Sequence, residues 1–233
     1  MQKENPDQMS STFDITRLEE LSSIMEEKGE LFQNLQDFLE MQHLYNSAIR
    51  EIRTKLEILN DEFQMNFARN PIHHIESRLK SPRSIIGKLR RRGCPVNLAS
   101  ARENLNDIAG VRVICCYIDD CYRVADMLLR QNDLRLVDRT DYIANPDTHG
   151  YRSLHLDIEV PIYLSERTEK VTVEIQIRTV AMDFWASLEH DMNYKREGTI
   201  SEALAEQMVD CADRIAQIDR EMQAMFREIT GET

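Results

Sequence analysis

Hydrophobic and polar positions alternate with a period of two in residues 170–178. The apolar positions are Val171, Val173, Ile175 and Ile177, and the polar positions between them are Thr172, Glu174, Gln176 and Arg178. This period predicts a β-strand with one apolar and one polar face. The polar face carries an acid, an amide and a base in a row, so it is either the solvated side of a sheet or the floor of a site. Four more segments are predicted to be strands, namely 72–77, 109–118, 133–138 and 151–160.

The other segments have the three-and-four spacing of helices. Residues 14–66 are predicted to be helical, with Gly29 as a candidate break. Shorter helices are predicted at 82–92, 97–105, 119–131 and 180–195, and a last helix starts near Ser201. Strands 151–160 and 170–178 are predicted to pair antiparallel. The pattern therefore favours an α+β fold, with a mixed β-sheet flanked by helices and with long helices at both ends of the chain.

Both terminal helices carry a narrow apolar stripe. The first stripe consists of Leu35, Phe38, Gln42, Tyr45, Ile49, Ile52, Leu56, Leu59 and Phe63. The second consists of Leu204, Met208, Cys211, Ile215, Ile218, Met222, Met225 and Ile229. Such stripes pack either on the protein's own core or on another helix, and the residues alone leave both readings open. We divide the chain into a flexible N-terminus (1–13), N-terminal helices (14–66), a core of alternating strands and helices (67–196) and a C-terminal assembly helix (197–233).

The composition, net charge and cysteine content disfavour several classes of protein. The chain has 233 residues, 42% of them hydrophobic and 30% charged, and a net charge of −12, which disfavours non-specific coating of nucleic acid. Its five cysteines are odd in number and form no CxxC pair, so a disulfide framework or a zinc site is not expected. A polar start and the absence of a long apolar run predict a cytoplasmic protein without a membrane span.

A basic block interrupts this acidic chain. Seven of the fifteen residues in 78–92 are Lys or Arg and none is acidic. On the predicted helix, Ser84, Lys88 and Arg91 share one face, where several cations could surround a polyphosphate. A solvated basic face or an RNA-binding patch is the alternative. Neither a Walker A loop nor a G-x-G-x-x-G turn is present, so side chains would have to hold the phosphates.

Two acids and an aromatic segment add candidate chemistry. Asp107 stands just before a predicted strand and is a candidate Mg²⁺ ligand, although such a residue is more often part of a turn. Glu174 lies within a strand, where acids are depleted unless the face is wet or functional. Tyr151 and His155 fall on one predicted strand face and could contact a base and a ribose, although a buried Tyr and a hydrogen-bonded His explain the pattern equally well. Together with the basic block, these groups are what Mg²⁺-assisted phosphoryl transfer between two nucleotides requires.

Four ordered motifs then resemble a known family. They are R-x-K-x-x-x-S-x-x-x-K (Arg78 to Lys88), D-I-A-G-x-R (Asp107 to Arg112), G-Y-R-S-L-H (Gly150 to His155) and E-I-Q-I-R-T (Glu174 to Thr179). Over about residues 45–195 the chain resembles the synthetase domain of RelA/SpoT-type alarmone enzymes, and specifically the small alarmone synthetases that stand alone. The resemblance implies a nucleotidyltransferase-like synthetase fold and transfer of the β,γ-pyrophosphate of ATP to the ribose 3′-OH of GDP or GTP, with release of AMP, in the bacterial stringent response.

The resemblance also implies roles for individual residues. Arg78 and Arg112 would sandwich the adenine of ATP, and its phosphates would be held by Lys80, Ser84, Lys88 and Arg91. Asp107 and Glu174 would hold Mg²⁺, and Glu174 would accept the proton of the attacking hydroxyl. Tyr151 would stack on guanine, and the acceptor side would further include His155, Gln176, Arg178, Asp183 and Glu189. Relatives of this size are homo-oligomers, so a homotetramer is expected, with a dimer as second choice.

Three residues depart from the family pattern, and the sequence leaves competing functions open. Asp183 replaces a common Asn beside the guanine site, and Asp147 and Thr140 replace lysines that often face the acceptor phosphates, so the choice between GDP and GTP is not predicted. One competing reading is a non-catalytic module that binds RNA or regulates through residues 78–92. Another is a nucleotidyltransferase of similar fold, but its usual acid pair beside a Gly-Ser turn is not seen. The His190-Asp191 dipeptide is too little to support a metal-dependent hydrolase.

Overall fold

The computed structural model describes residues 35–66, 69–194 and 201–231. In chain order these residues form α1 (Leu35–Asn66), β1 (Ile72–Leu79), α2 (Pro82–Arg91), α3 (Leu98–Asn104), β2 (Ala109–Cys115), α4 (Ile118–Leu129), β3 (Arg135–Asp141), β4 (Leu154–Tyr163), β5 (Thr168–Thr179), α5 (Val180–Tyr194) and α6 (Glu202–Thr230). The predicted flexible start (1–13) and the part of the first helix before residue 35, including Gly29, lie outside the described residues.

The chain divides into two compact units. The larger unit contains Gln42–Lys80 and Asn106–Thr233, and it holds the whole sheet. Its five strands are ordered β1-β2-β5-β4-β3. Strands β2 and β5 run parallel, and the other neighbours run antiparallel, including the predicted pair β4 and β5. The predicted α+β fold with a mixed sheet flanked by helices is therefore confirmed.

One face of the sheet is apolar and buried, as the period of two predicts. The alternating apolar residues of β5 are buried, and so are the residues paired with them in β4, namely Leu154, Leu156, Ile158 and Val160. Helix α4 contacts both β2 and β5. It is anchored at its first turn by Asp120, whose carboxylate receives two hydrogen bonds from Arg69 at 2.6 and 2.7 Å. The polar residues between the apolar ones consequently share the opposite face.

Strand β4 begins later than predicted. Its first residue is Leu154, whereas the sequence pattern predicts a strand from residue 151. Gly150 has a left-handed backbone (φ +84°) that turns the chain just before it enters the sheet. The predicted strand 151–160 would put Ser153 on the same face as Tyr151 and His155, which is wrong: Ser153 precedes the first residue of β4, is fully buried, and its Oγ donates to the carbonyl of Ile177 at 3.2 Å.

Helix α6 presents two different faces. A face of small and polar residues packs within the larger unit and contains Ala212, Ala216, Asp219 and Gln223. The thiol of Cys211 and most of the apolar stripe stay on the outside, with Ile218 57% and Ile229 85% exposed. No helix within the described ranges is long and apolar enough to cross a membrane.

The smaller unit includes the described residues 35–41 and 81–105, with helices α2 and α3 packed on each other. Ser81 caps α2 by accepting a hydrogen bond from the backbone N–H of Ser84 (3.3 Å), and Pro82 starts the helix. The buried face of α2 is Pro82, Ile85, Ile86 and Leu89. The basic block is thus an amphipathic helix whose apolar side is covered and whose cationic side is open.

Candidate active site

Polar side chains form two rows across the face of the sheet opposite its apolar face. Residues paired across neighbouring strands point to the same side, so the strand register defines the rows. One row runs through Arg78, Gly110, Glu174 and Asp157, and the next through Glu76, Arg112, Gln176 and His155. Each row crosses β1, β2, β5 and β4 in that order. Residues more than 60 positions apart in sequence are thereby brought side by side.

Two cavities open on this face. The β1–β2 cavity has a volume of about 190 Å³ and is lined by Glu76, Ser77, Arg78, Gly110, Val111, Arg112, Glu174 and Gln176. The β5–α5 cavity has a volume of about 340 Å³ and is lined by Arg78, Arg112, Tyr151, Gln176, Arg178, Ala186, Ser187, Glu189 and His190. The two linings share Arg78, Arg112 and Gln176, so the cavities adjoin along a common wall.

A chain of hydrogen bonds orients Glu174. The guanidinium of Arg178, only 2% exposed, donates through Nη2 to Gln176 Oε1 at 2.5 Å. Because a guanidinium can only donate, the Gln176 oxygen must accept, and its amide nitrogen then donates to Glu174 Oε2 at 2.8 Å. Burial lowers the pKa of Arg178. Arg178, which the resemblance places on the acceptor side, is thus the buried first donor of this series of hydrogen bonds.

Tyr151 and His155 are also joined by hydrogen bonds. The Tyr151 hydroxyl lies 3.4 Å from Arg178 Nη2, which donates to it, and 2.9 Å from His155 Nε2. The hydroxyl and Nε2 therefore share a hydrogen bond, and the other ring nitrogen, Nδ1, lies 3.9 Å from Glu174 Oε1. Burial, aided by the charge of Arg178, lowers the pKa of His155 to about 4, so the imidazole is neutral at physiological pH. Tyr151 is partly buried and also lines the β5–α5 cavity, so its contact with a base stays a prediction.

The turn that carries Tyr151 is held from several directions. Asp147 Oδ1 accepts hydrogen bonds from the backbone N–H groups of His149 and Tyr151, both at 2.9 Å. Tyr142 makes edge-to-face contacts with Tyr151 and His155, at centroid distances of 5.7 and 5.2 Å. Asp147, which the resemblance marks as a departure from the family pattern, therefore has a structural task in the loop, as does Tyr142.

Lys80 and Asp107 meet at the edge of the sheet. Lys80 Nζ lies 2.5 Å from Asp107 Oδ2, and both side chains are largely covered. Asp107 precedes Gly110, the β2 partner of Glu174, by three residues. The two residues have separate predicted tasks toward phosphate and Mg²⁺, and in the structure they form an ion pair. Within the described residues there is no group of three or more His, Cys, Asp or Glu side chains arranged to hold a metal ion.

The remaining predicted residues lie in several places. Ser84 and Arg91 are exposed and Lys88 is partly covered, all on α2 of the smaller unit, and they share the face opposite its buried residues. Thr140 Oγ1 donates to Asp138 Oδ2 at 3.3 Å on β3. Glu189 lines the β5–α5 cavity.

Asp183 lies in the first turn of α5, and its Oδ1 is 3.6 Å from Arg112 Nη1 and 3.4 Å from Arg178 Nη1. It is not among the described residues that line either cavity.

Sequence reasoning missed three residues of this face. Glu76 Oε2 accepts a hydrogen bond from Arg112 Nη1 at 3.2 Å, and its spacing of two from Arg78 could have placed it on the same strand face. Gly110 lies in a recognised motif, but nothing in the sequence shows that its bare backbone forms part of a cavity wall. Tyr142 has no sequence signal, because a loop brings it to Tyr151.

The arrangement combines the groups that phosphoryl transfer needs. Arginines with planar guanidinium groups stand around the β1–β2 cavity, and an aromatic ring stands in the β5–α5 cavity. An oriented carboxylate, Glu174, lies beside Gln176 in the wall that the cavities share. The polar row of β5 thus lies at the floor of the two adjoining cavities, and its role as the floor of a site stays a prediction.

Comparison with known proteins gives one family. Residues 77–199 match the RelA_SpoT family, described as a region found in RelA and SpoT proteins. The chain is 40% identical to the GTP pyrophosphokinase YwaC of Bacillus subtilis (strain 168), across 92% of this chain and 98% of that protein. It is 37% identical to the GTP pyrophosphokinase YjbM of the same organism, across 81% of this chain and 86% of that protein.

Solved structures agree with the sequence relatives. Small alarmone synthetase 2 from Bacillus subtilis superposes with a TM-score of 0.75 at 42% identity, covering 82% of this chain and 99% of its own. Small alarmone synthetase 1 from Bacillus subtilis, bound to its product pppGpp, superposes with a TM-score of 0.77 at 34% identity, covering 83% of this chain and 98% of its own.

Proposed function

The chain belongs to the RelA/SpoT family, and from this premise we propose that it is a GTP pyrophosphokinase of the small alarmone synthetase type. It transfers the β,γ-pyrophosphate of ATP to the ribose 3′-OH of GDP or GTP and releases AMP, as a synthetase of the bacterial stringent response. The observation that carries the proposal is the pair of adjoining cavities on one polar sheet face, with Glu174 beside their common wall.

We assign the β1–β2 cavity to the adenine of ATP. Arg78 and Arg112 stand on neighbouring strands and both line it, so their guanidinium planes can take an adenine between them. Gly110 leaves space between the arginines and Glu174. Lys80 and the cationic face of α2, formed by Ser84, Lys88 and Arg91, are assigned to the phosphates.

We assign the β5–α5 cavity to the acceptor nucleotide. Tyr151 offers a ring for stacking on guanine, and Glu189 lines the same cavity. His155 is neutral, so it can donate or accept a hydrogen bond without adding charge beside the anionic acceptor. Gln176 stands in the wall between the two nucleotides.

Glu174 is the proposed general base. It accepts the proton of the 3′-hydroxyl as that oxygen attacks the β-phosphorus of ATP, and the bond from the β-phosphorus to the bridging oxygen of AMP breaks. The Arg178–Gln176 chain fixes the carboxylate, because Gln176 donates to it and is itself held by Arg178. A carboxylate held on a strand of the sheet is aimed more precisely than one on a loop.

The donor set also fits Mg²⁺ that arrives with ATP. Mg²⁺ in phosphoryl-transfer sites is commonly held by one or two carboxylates together with substrate phosphates and water. Asp107 and Glu174 would supply those carboxylates, and the ion would neutralise charge on the transferred group. Lys80 would then leave its ion pair with Asp107 and turn to a phosphate.

We further propose that the chain assembles as a homotetramer in the cytoplasm, with a dimer as second choice. The exposed apolar stripe of α6 supports an assembly role for residues 197–233. Ile218→Asp together with Met222→Asp should dissociate the particle, because both side chains point outward, whereas Ile215 packs partly on the chain's own core. Light scattering coupled to size exclusion measures this, and a wild-type mass near 27.3 kDa would contradict assembly.

The reaction is tested by incubating the protein with ATP, Mg²⁺ and either GDP or GTP and resolving the products by ion-exchange chromatography. AMP and a guanosine 3′-pyrophosphate are expected in equal amounts. Release of inorganic pyrophosphate with a nucleotidyl adduct would instead show transfer of the nucleotidyl group and contradict the proposal.

A further inference from the structure

The carboxylate of Asp183 lies close to two arginines of the site, Arg112 and Arg178. Asp183 Oδ1 lies 3.6 Å from Arg112 Nη1 on β2 and 3.4 Å from Arg178 Nη1 on β5. Arg112 lines both cavities, and Arg178 lines only the β5–α5 cavity. Asp183 therefore stands behind the site, between an arginine assigned to ATP and an arginine that supports the acceptor side.

This bridge is only partly satisfied. Asp183 Oδ1, Arg112 Nε and Arg178 Nε are buried, and among the described residues none of the three atoms makes a hydrogen bond. The two contacts of Asp183 are longer than the charge-assisted hydrogen bonds that such pairs form when well aligned, about 2.8 Å. The arrangement has room to tighten when ligands fix the arginines.

We propose that Asp183 is a positioning residue that couples the two nucleotide subsites, so that each nucleotide binds more tightly when the other is present. The inference rests on the proposed function. ATP binding would fix the Arg112 plane, settle the Asp183 carboxylate, and through it hold Arg178, Gln176 and Glu174 in their active arrangement. Asp183 acts through these arginines and is not assigned a contact with guanine.

Isothermal titration tests the coupling on the full chain with Mg²⁺. The dissociation constant of the α,β-methylene analogue of ATP is measured alone and with saturating GDP, and that of GDP is measured with and without the analogue. In the wild type each nucleotide should tighten the other by at least about fivefold, the lower end of usual coupling. Asp183→Asn should weaken both nucleotides and reduce the coupling factor to within about twofold of one. Asp183→Glu, which keeps the charge, should retain coupling above about threefold.

Two matched variants separate this role from a general loss of structure. Glu76→Gln removes a partner of Arg112 alone, so it should weaken the ATP analogue and leave the coupling factor unchanged. Asp191→Asn, on the exposed side of α5 two turns later, should leave all four constants unchanged. If Asp183→Asn lacks a cooperative thermal transition, Asp183→Ser replaces it with the same expectation.

Absence of coupling in the wild type, full coupling in Asp183→Asn, or an effect of that variant on one nucleotide alone would overturn the inference. If the wild type forms no guanosine 3′-pyrophosphate, the proposed function fails instead, and the product assay separates the two failures.

Discussion

The residues that line the two cavities are held in place to different degrees. The β5–α5 cavity is backed by α5 and α6: Tyr151 packs against the buried cluster of Trp185, Ala186 and Ala212, and its loop is tied down by Asp147. The β1–β2 cavity lies at the sheet edge, and its charges are paired with one another, as in Arg112 with Glu76, which is about half exposed. The same Gly→Ala change would meet Ala212 at 2.5 Å at Gly150 but only Arg78 at 3.7 Å at Gly110.

Under the proposed assignment, this difference affects the two substrates unequally. The acceptor would meet a ring and a hydrogen-bond network that already exist, so little ordering would accompany its binding. ATP would meet ion pairs that must open before the cations reach it. We therefore expect affinity for ATP to fall more steeply with salt than affinity for GDP, since screening weakens exposed charge interactions most.

The largest effect is expected at Glu174, which serves both sides. Glu174→Gln keeps the shape but removes charge and basicity, so turnover should fall by ~10²–10⁴-fold, the usual worth of general-base catalysis. Steady-state rates measure this, with the exposed Glu166→Gln in the β4–β5 turn as the unchanged control. Near-normal turnover in Glu174→Gln would remove the base assignment.

Gly150→Ala should destabilise the turn that carries Tyr151 into the β5–α5 cavity. The new methyl would overlap Ala212 and the residue would keep φ near +84°, so the free energy of unfolding should fall by roughly 2–5 kcal/mol. Gly93→Ala has a similar φ (+68°) with open space around it and should lose only about 1–2 kcal/mol. Urea denaturation measures both, and Gly110→Ala should leave stability nearly unchanged. Equal losses at Gly150 and Gly93 would show that α6 does not press on this turn.

Tyr151→Ala should weaken the binding of one substrate and not of the other. Loss of the ring should weaken acceptor binding by roughly 1–3 kcal/mol, as for other bases stacked on aromatic residues, and leave ATP affinity unchanged. Titration with GDP and with the ATP analogue measures this, and Tyr163→Ala, 77% exposed at the end of β4, is the control. An equal loss for both nucleotides would place Tyr151 in the wrong subsite.

The smallest effect at neutral pH concerns His155. Its pKa in the folded protein is about 4, below its ordinary value, so the unfolded chain binds a proton first as the pH falls. The contribution of the neutral imidazole to the free energy of unfolding is fully present above pH 6.5 and is lost as the pH drops toward 4. The loss reaches about 2 kcal/mol at pH 5. Denaturation at pH 7 and pH 5 should show this drop in the wild type and in His149→Gln but not in His155→Gln. The same drop in His155→Gln would assign it to other groups.

Local periodicity predicted the sheet but not the contacts made across it. The alternation in residues 170–178 was enough to place Glu174 and Arg178 on one face, because a strand fixes side-chain direction. Ser153 was misplaced because it precedes the first residue of β4, so the alternation of the strand does not set the direction of its side chain.

The buried face of α6 could not be predicted either, since Ala212 and Asp219 carry no hydrophobic signal, and close packing selected small residues there. The ion pair of Lys80 with Asp107 likewise depends on the strand register.

Photo-crosslinking tests the division of the site most directly. The protein is irradiated separately with 8-azido-ATP and 8-azido-GDP in the presence of Mg²⁺, and the labelled peptides are mapped by mass spectrometry. The azidoadenine should attach to β1 or β2, between Glu76 and Arg112, and the azidoguanine to residues 149–155 or to α5. Attachment of both bases to the same peptide, or the reverse assignment, would contradict the account of two adjoining subsites.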